Sequence, residues 1–136
     1  ELIGVRFKNK KAEYIIEARK KFSQNGYILI KSELESILDV IKKREYLVQN
    51  IKGIGYKEAS HFLRNIGFGR EITILDRHIL KNLKLYNVID EIPKTISKKR
   101  YFDIEIKMKE FSREVNIPLD HLDLLLWFKE AGEIYK

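Results

Sequence analysis

The chain is predicted to fold as one all-α domain over residues 1–136. Three observations carry this. Apolar residues recur at helical spacing along most of the chain. Capping residues and glycine or proline stops punctuate that pattern. The one short run that resembles a strand, Ile72, Ile74 and Leu75, has no second run to pair with, so it is expected to be extended loop. The 136 residues suffice for one ordinary domain with a core, and no repeat, low-complexity tract or linker interrupts them.

Taken in order, Asn9 caps a first helix carrying Ala12, Ile15, Ile16, Arg19 and Phe22, and Asn25-Gly26 ends it. Ser32-Glu33-Leu34-Glu35 has the form of a capping box. Leu34, Ile37, Leu38 and Ile41 follow on one face, and the Lys42-Lys43-Arg44 run is expected to break or bend this element. A shorter helix over Glu45–Asn50 leads to a hairpin at 51–55. The next helix spans 56–66, with Ala59, Phe62, Leu63 and Ile66 as its buried stripe and Gly67 as its stop. Asp76 N-caps a short helix carrying Ile79, Leu80 and Leu83. Pro93 marks a turn. Ser97 caps a helix to about Val115, with Tyr101, Met108, Phe111 and Val115 on one side. Pro118 opens the last helix, with Leu122, Leu125, Leu126 and Trp127 inside and Gly132 weakening its end.

Composition narrows the function. Lys and Arg outnumber Asp and Glu by 27 to 20, a net charge of +7 that favours polyanionic partners, nucleic acid first among them. There is no Cys, which excludes disulfides, Cys-ligated zinc, an Fe–S cluster and a thiol nucleophile. No metal or cofactor is implied. No apolar run is long enough for a membrane span and no signal peptide is visible, so an intracellular protein, cytoplasmic and associated with the nucleoid, is expected. The first residue is Glu1 rather than Met, as in a processed or truncated piece.

The most informative stretch is Ile51-Lys52-Gly53-Ile54-Gly55-Tyr56-Lys57, with Asp76 nineteen residues beyond Lys57. In a hairpin between two helices, Gly53 and Gly55 tolerate positive φ and leave no Cβ between backbone and ligand. Their N–H groups and those of the following helix start can grip one phosphate, with Ile51 and Ile54 anchoring the turn. Lys57 falls in the first helical turn, where the dipole and partial burial both favour the neutral amine. Such an amine can attack a sugar C1′. Asp76 adds a carboxylate that can stabilise positive charge and help deprotonate the amine. The structural alternatives are a glycine-rich turn, a surface lysine and a plain N-cap; His78 reads as structural.

These residues carry a resemblance. Gly53-Ile54-Gly55-Tyr56-Lys57 followed by Leu75-Asp76-Arg77-His78 resembles the helix–hairpin–helix DNA glycosylase superfamily. The longer string from Ile51 to Asn65, with Leu119-Asp120-His121-Leu122-Asp123-Leu124-Leu125-Leu126-Trp127 and the ending Gly132-Glu133-Ile134-Tyr135-Lys136, is similar to the archaeal-type, second-class 8-oxoguanine DNA glycosylase/AP lyases. The similarity runs over nearly the whole chain from Arg6. It implies a base-excision enzyme acting on double-stranded DNA that contains 8-oxoguanine; a monomer is the simplest expectation, the oligomeric state being left open. The damaged nucleotide is flipped out, Lys57 displaces the base and forms a Schiff base, Asp76 assists, and β-elimination nicks the strand. It further implies that Phe7 and Trp127 sandwich the flipped base and that the carboxylate of Lys136 reads the N7–H of the oxidised base. Family members usually extend upstream of the position matching Glu1, which implies a truncated form or a shortened relative. A non-catalytic helix–hairpin–helix DNA-binding module is the competing reading, since it needs the glycines and basic surface without Lys57 and Asp76. A monofunctional glycosylase, in which water attacks, would need no lysine.

Overall fold

Helices form wherever apolar spacing and caps agree, and the computed structural model, which describes residues 7–132, contains seven of them among those residues. They are α1 (Lys8–Phe22), α2 (Ile30–Ser36), α3 (Val40–Asn50), α4 (Tyr56–Asn65), α5 (Arg77–Leu85), α6 (Lys98–Glu114) and α7 (Leu119–Ala131). The expected all-α class holds, with one small addition: β1 (Ser23–Gln24) and β2 (Tyr27–Ile28) pair antiparallel between α1 and α2. The chain divides between Gly55 and Tyr56 into two compact units. No helix among the described residues is long and apolar enough to cross a membrane.

In the first unit α1 starts one residue before Asn9, from Phe7 in a left-handed conformation with φ 59°. Of its expected apolar stripe only Phe22 is buried; Ile15 and Ile16 are on the surface. Asn25-Gly26 does more than stop the helix. Both residues have positive φ, 51° and 81°, as the two-residue type I′ hairpin turn requires. The capping box does not form: α2 begins two residues ahead of Ser32, whose hydroxyl donates back to the Leu29 carbonyl at 2.8 Å. The basic run does not break the next helix either. The break falls at residues 37–39, because Asp39 accepts from the Lys42 N–H and caps α3 there. Lys42, Lys43 and Arg44 lie inside α3, and Lys43 and Arg44 are buried. The Lys43 ammonium donates to the Leu34 carbonyl in the last turns of α2, where cations are favoured. Leu38, expected inside, is 97% exposed in the interhelical break. The Tyr46 hydroxyl donates to Glu33, and burial together with that carboxylate pushes it up to about 12.

In the second unit α4 starts at Tyr56 and is closed just past Asn65 by Gly67, where the Phe68 N–H donates to Leu63 and the Gly67 N–H to Arg64 in a Schellman pattern. The buried face of α4 is turned from the expected one: Ala59, Ser60 and Leu63 are inside, Phe62 and Ile66 outside. Residues 68–75 form a connection without strand pairing, as expected, with a turn at 70–71. Asp76 caps α5 and Ser97 caps α6 through the Arg100 N–H. The core gathers Leu75, Ile79, Leu80 and Leu83 with Tyr101, Ile104 and Met108 of α6 and Leu122 and Leu126 of α7. Phe111 and Trp127 are partly buried against it. Leu125 and Val115, expected inside, are exposed, and Asp123 takes an inward position on α7 instead.

Candidate active site

The hairpin is built from local geometry. The Ile54 N–H donates to the Ile51 carbonyl at 3.3 Å and closes a β-turn. Gly53 occupies the third position with φ 80°, where a type II turn needs glycine. A Cβ on Gly53 would also lie 2.5 Å from the Tyr14 ring, so the glycine is required twice. Gly55 differs from expectation: it lies outside the left-handed region, so conformational freedom is not its reason. Ile51 and Ile54 are half-buried anchors. Lys52 at the tip is exposed and paired with Glu17 of α1 at 2.8 Å, and that hydrogen-bonded partner holds its ammonium above the ordinary lysine value.

The hairpin runs directly into α4, whose first turn carries Lys57. Its N–H groups there have no intrahelical acceptors. The Lys57 side chain is partly covered, 45% exposed, with the amine 3.0 Å from the Glu58 carboxylate. Lys57 borders the buried face of Ala59, Ser60 and Leu63, about one turn before Ser60. An exposed pair of this kind contributes about 0–1 kcal/mol and opens readily.

Asp76 is held firmly. Its Oδ1 accepts from the backbone N–H of His78 and of Ile79, both at 2.9 Å. His78 meets Trp127 edge-on, with ring centroids 6.5 Å apart and planes at 84°. The structure therefore brings Trp127 close to the start of α5, two residues beyond Asp76. Phe7 is 64% exposed at the start of α1. Lys136 lies outside the described residues. The end of α7 is tied to α5 by Asn82, which donates to the carbonyls of His78 and Leu126, and by Lys129, which donates to Asn82 and lies 4.7 Å over the Tyr86 ring. Among the described residues no three His, Cys, Asp or Glu side chains group to hold a metal ion.

A buried polar network, absent from the sequence-based site, holds the stretch before Asp76. Residues 72–75 are buried and lack strand partners, so their polar backbone groups need side chains. Glu105 of α6 accepts from the Thr73 N–H at 2.9 Å and the Thr73 hydroxyl at 3.1 Å. Asp123 of α7 accepts from the Ile74 N–H at 2.8 Å. The Tyr101 hydroxyl donates to the Thr73 carbonyl at 2.7 Å and accepts a long bond from the Leu75 N–H at 3.4 Å. The same groups reach α4. Arg64 pairs with Asp123 at 2.8 Å, and Ser60 meets the Tyr101 hydroxyl at 3.3 Å. The sequence signal was a pair of carboxylates, Glu105 and Asp123, on otherwise apolar helix faces.

A family model for 8-oxoguanine DNA glycosylase matches residues 1–117. The 8-oxoguanine DNA glycosylase/AP lyase of Fusobacterium nucleatum is 55% identical over 132 residues, covering 97% of this chain and 61% of that protein. The Methanocaldococcus jannaschii protein of the same name is 48% identical over 134 residues, covering 98% of this chain and 61% of its own length. A crystal structure of the M. jannaschii 8-oxoguanine glycosylase/lyase in complex with a 15-mer DNA containing 8-oxoguanine superposes with a TM-score of 0.85 at 47% identity, over 98% of this chain and 61% of that one. The chain thus spans about three-fifths of the length of these relatives. The hairpin, the lysine that follows it and the capped aspartate stand in a chain that belongs to the helix–hairpin–helix family of 8-oxoguanine DNA glycosylases.

Proposed function

We propose that this protein is an intracellular base-excision enzyme that removes 8-oxoguanine from double-stranded DNA and cleaves the resulting abasic site, acting as a monomer. The observation that carries this reading is a surface amine in the first turn after a glycine hairpin, in the same unit as a carboxylate fixed at a helix start. The hairpin backbone and the N–H groups of the first turn of α4, with Gly53 and Gly55 at the closest approach, grip the strand phosphate. Lys57 releases Glu58, loses its proton and attacks C1′. The C1′–N9 bond breaks and its electron pair leaves with the base, which takes up a proton. The sugar ring opens to an imine on Lys57. Loss of a C2′ proton then expels the 3′-phosphate, and water frees the lysine. Asp76 supports positive charge on the sugar and receives the amine proton. Phe7 and Trp127 sandwich the flipped base, and Lys136 reads its oxidised edge. The likeness to relatives named as glycosylase/AP lyases supports the two-step chemistry over a binding module.

Borohydride reduction during turnover of 8-oxoguanine duplex tests this. The full chain is expected to give a covalent protein–DNA adduct, and Lys57→Gln to give none while still binding the duplex. Absence of an adduct from DNA-bound wild-type protein rejects the lyase reading.

A further inference from the structure

The polar network behind Asp76 has a feature that packing alone does not require. Two of its members each touch both the helix carrying Lys57 and the stretch carrying Asp76. Asp123 divides its carboxylate between Arg64 of α4 and the Ile74 N–H, two residues before Asp76. Tyr101 commits its hydroxyl proton to the Thr73 carbonyl, so Ser60 of α4 must be the donor in the Ser60–Tyr101 bond. Asp123, Tyr101 and Ser60 are all buried. An extended stretch with no ladder of its own can slide by fractions of an ångström, and these bonds remove that freedom. The Asp76 N–H in turn donates to the Ile74 carbonyl at 2.7 Å, so the clamp on residue 74 reaches the aspartate backbone directly.

We infer that Asp123 and Tyr101 are positioning residues that set the separation of Lys57 and Asp76 by bridging α4 to residues 73–75. The inference rests on the role proposed for Asp76. Neither residue touches DNA in this scheme. Their effect falls on the chemical step, because a reacting group displaced by about 1 Å can cost on the order of 10²-fold in rate.

The test is single-turnover base release and imine trapping on 8-oxoguanine duplex by the full chain, with duplex affinity and the trapped amplitude measured alongside. Asp123→Asn preserves shape and leaves an acceptor for Ile74, but removes the charge facing Arg64. It is expected to slow the chemical step about 10²-fold, with affinity and amplitude unchanged. Tyr101→Phe, which deletes one hydroxyl, is expected to slow it about tenfold. Asn caps a helix as well as Asp does, so Asp76→Asn isolates the carboxylate charge. Adding Asp123→Asn to Asp76→Asn is expected to slow the reaction no further, as for residues acting through one another. If Asp76→Asn itself reacts at the wild-type rate, the proposed function is wrong at that residue. If Asp76→Asn is slow while Tyr101→Phe and Asp123→Asn keep the wild-type rate, or if their only effect is a smaller trapped amplitude, the positioning role is overturned. Should Asp123→Asn fail to fold, Tyr101→Phe decides alone.

Discussion

Two irregular segments flank α4, and they are built on opposite principles. The hairpin before it, residues 51–55, is closed by one backbone hydrogen bond and depends on the left-handed φ of Gly53. The stretch after it, residues 72–75, needs no special φ and is held by carboxylates and a phenol that lie 26 to 49 positions further along the chain. The first closes on itself within four residues and leaves Lys52 and Gly53 exposed. The second is buried, and a buried backbone without a ladder has to find its partners elsewhere. Local conformation suffices for the turn, whereas satisfying the buried stretch takes the tertiary structure.

The contrast can be broken from its stronger side. Asp123→Ala strips the Ile74 N–H of its acceptor and leaves the Arg64 guanidinium facing no charge in a site where its side chain is only 12% exposed. Removing one partner of such a pair costs about 3–5 kcal/mol, and thermal unfolding should fall by about 10 °C or more. A loss below about 1 kcal/mol would mean that the clamp carries little of the fold. Gly53→Ala should cost less, about 2–3 kcal/mol, from left-handed φ at a residue with Cβ and from the collision with Tyr14. Tyr14→Ala in that background should recover only the steric part. Full recovery would show that backbone conformation at Gly53 matters little.

The smallest expected effect is a pH effect at the far end of α7. The Glu130 carboxyl is held below its ordinary value near 4.5, first by the hydrogen bond from Lys81. A carboxyl lowered in the folded state binds protons better when unfolded, so its contribution is present above that value and fades as pH falls through the folded one. Glu130→Gln should slightly flatten the acid limb of stability against pH and leave neutral stability almost unmoved. An unchanged acid limb would remove the pair from any role in tying α7 to α5.

Much of this was readable in the chain. Asp76 and Ser97 as caps, the start of α4 at Tyr56, the stop at Gly67 and the unpaired character of residues 72–75 all follow from short-range rules, and the structure bears them out. Asn25-Gly26 is a hairpin signal as well as a helix stop, and the structure uses it as both. The basic run at 42–44 does not break the helix, because the Asp39 cap sets the break earlier and the Leu34 carbonyl takes the Lys43 ammonium inside. The face of α4 also differs from expectation. Ser60 is small and has a buried phenol to meet, so it went inside where Phe62 was expected.

The sequence by itself determined where α4, α5 and α6 start, the stop at Gly67, the need for glycine at position 53, and which amine and carboxylate stand at helix beginnings, because caps, turns and dipoles act within a few residues. Only the tertiary structure decided that Lys57 stands on the surface beside Glu58, and that Glu105, Asp123 and Tyr101 supply the hydrogen bonds of residues 73–75. A carboxylate on a helix can face water or a buried N–H with equal local propensity, and only the packing of α6 and α7 around that stretch selects between them.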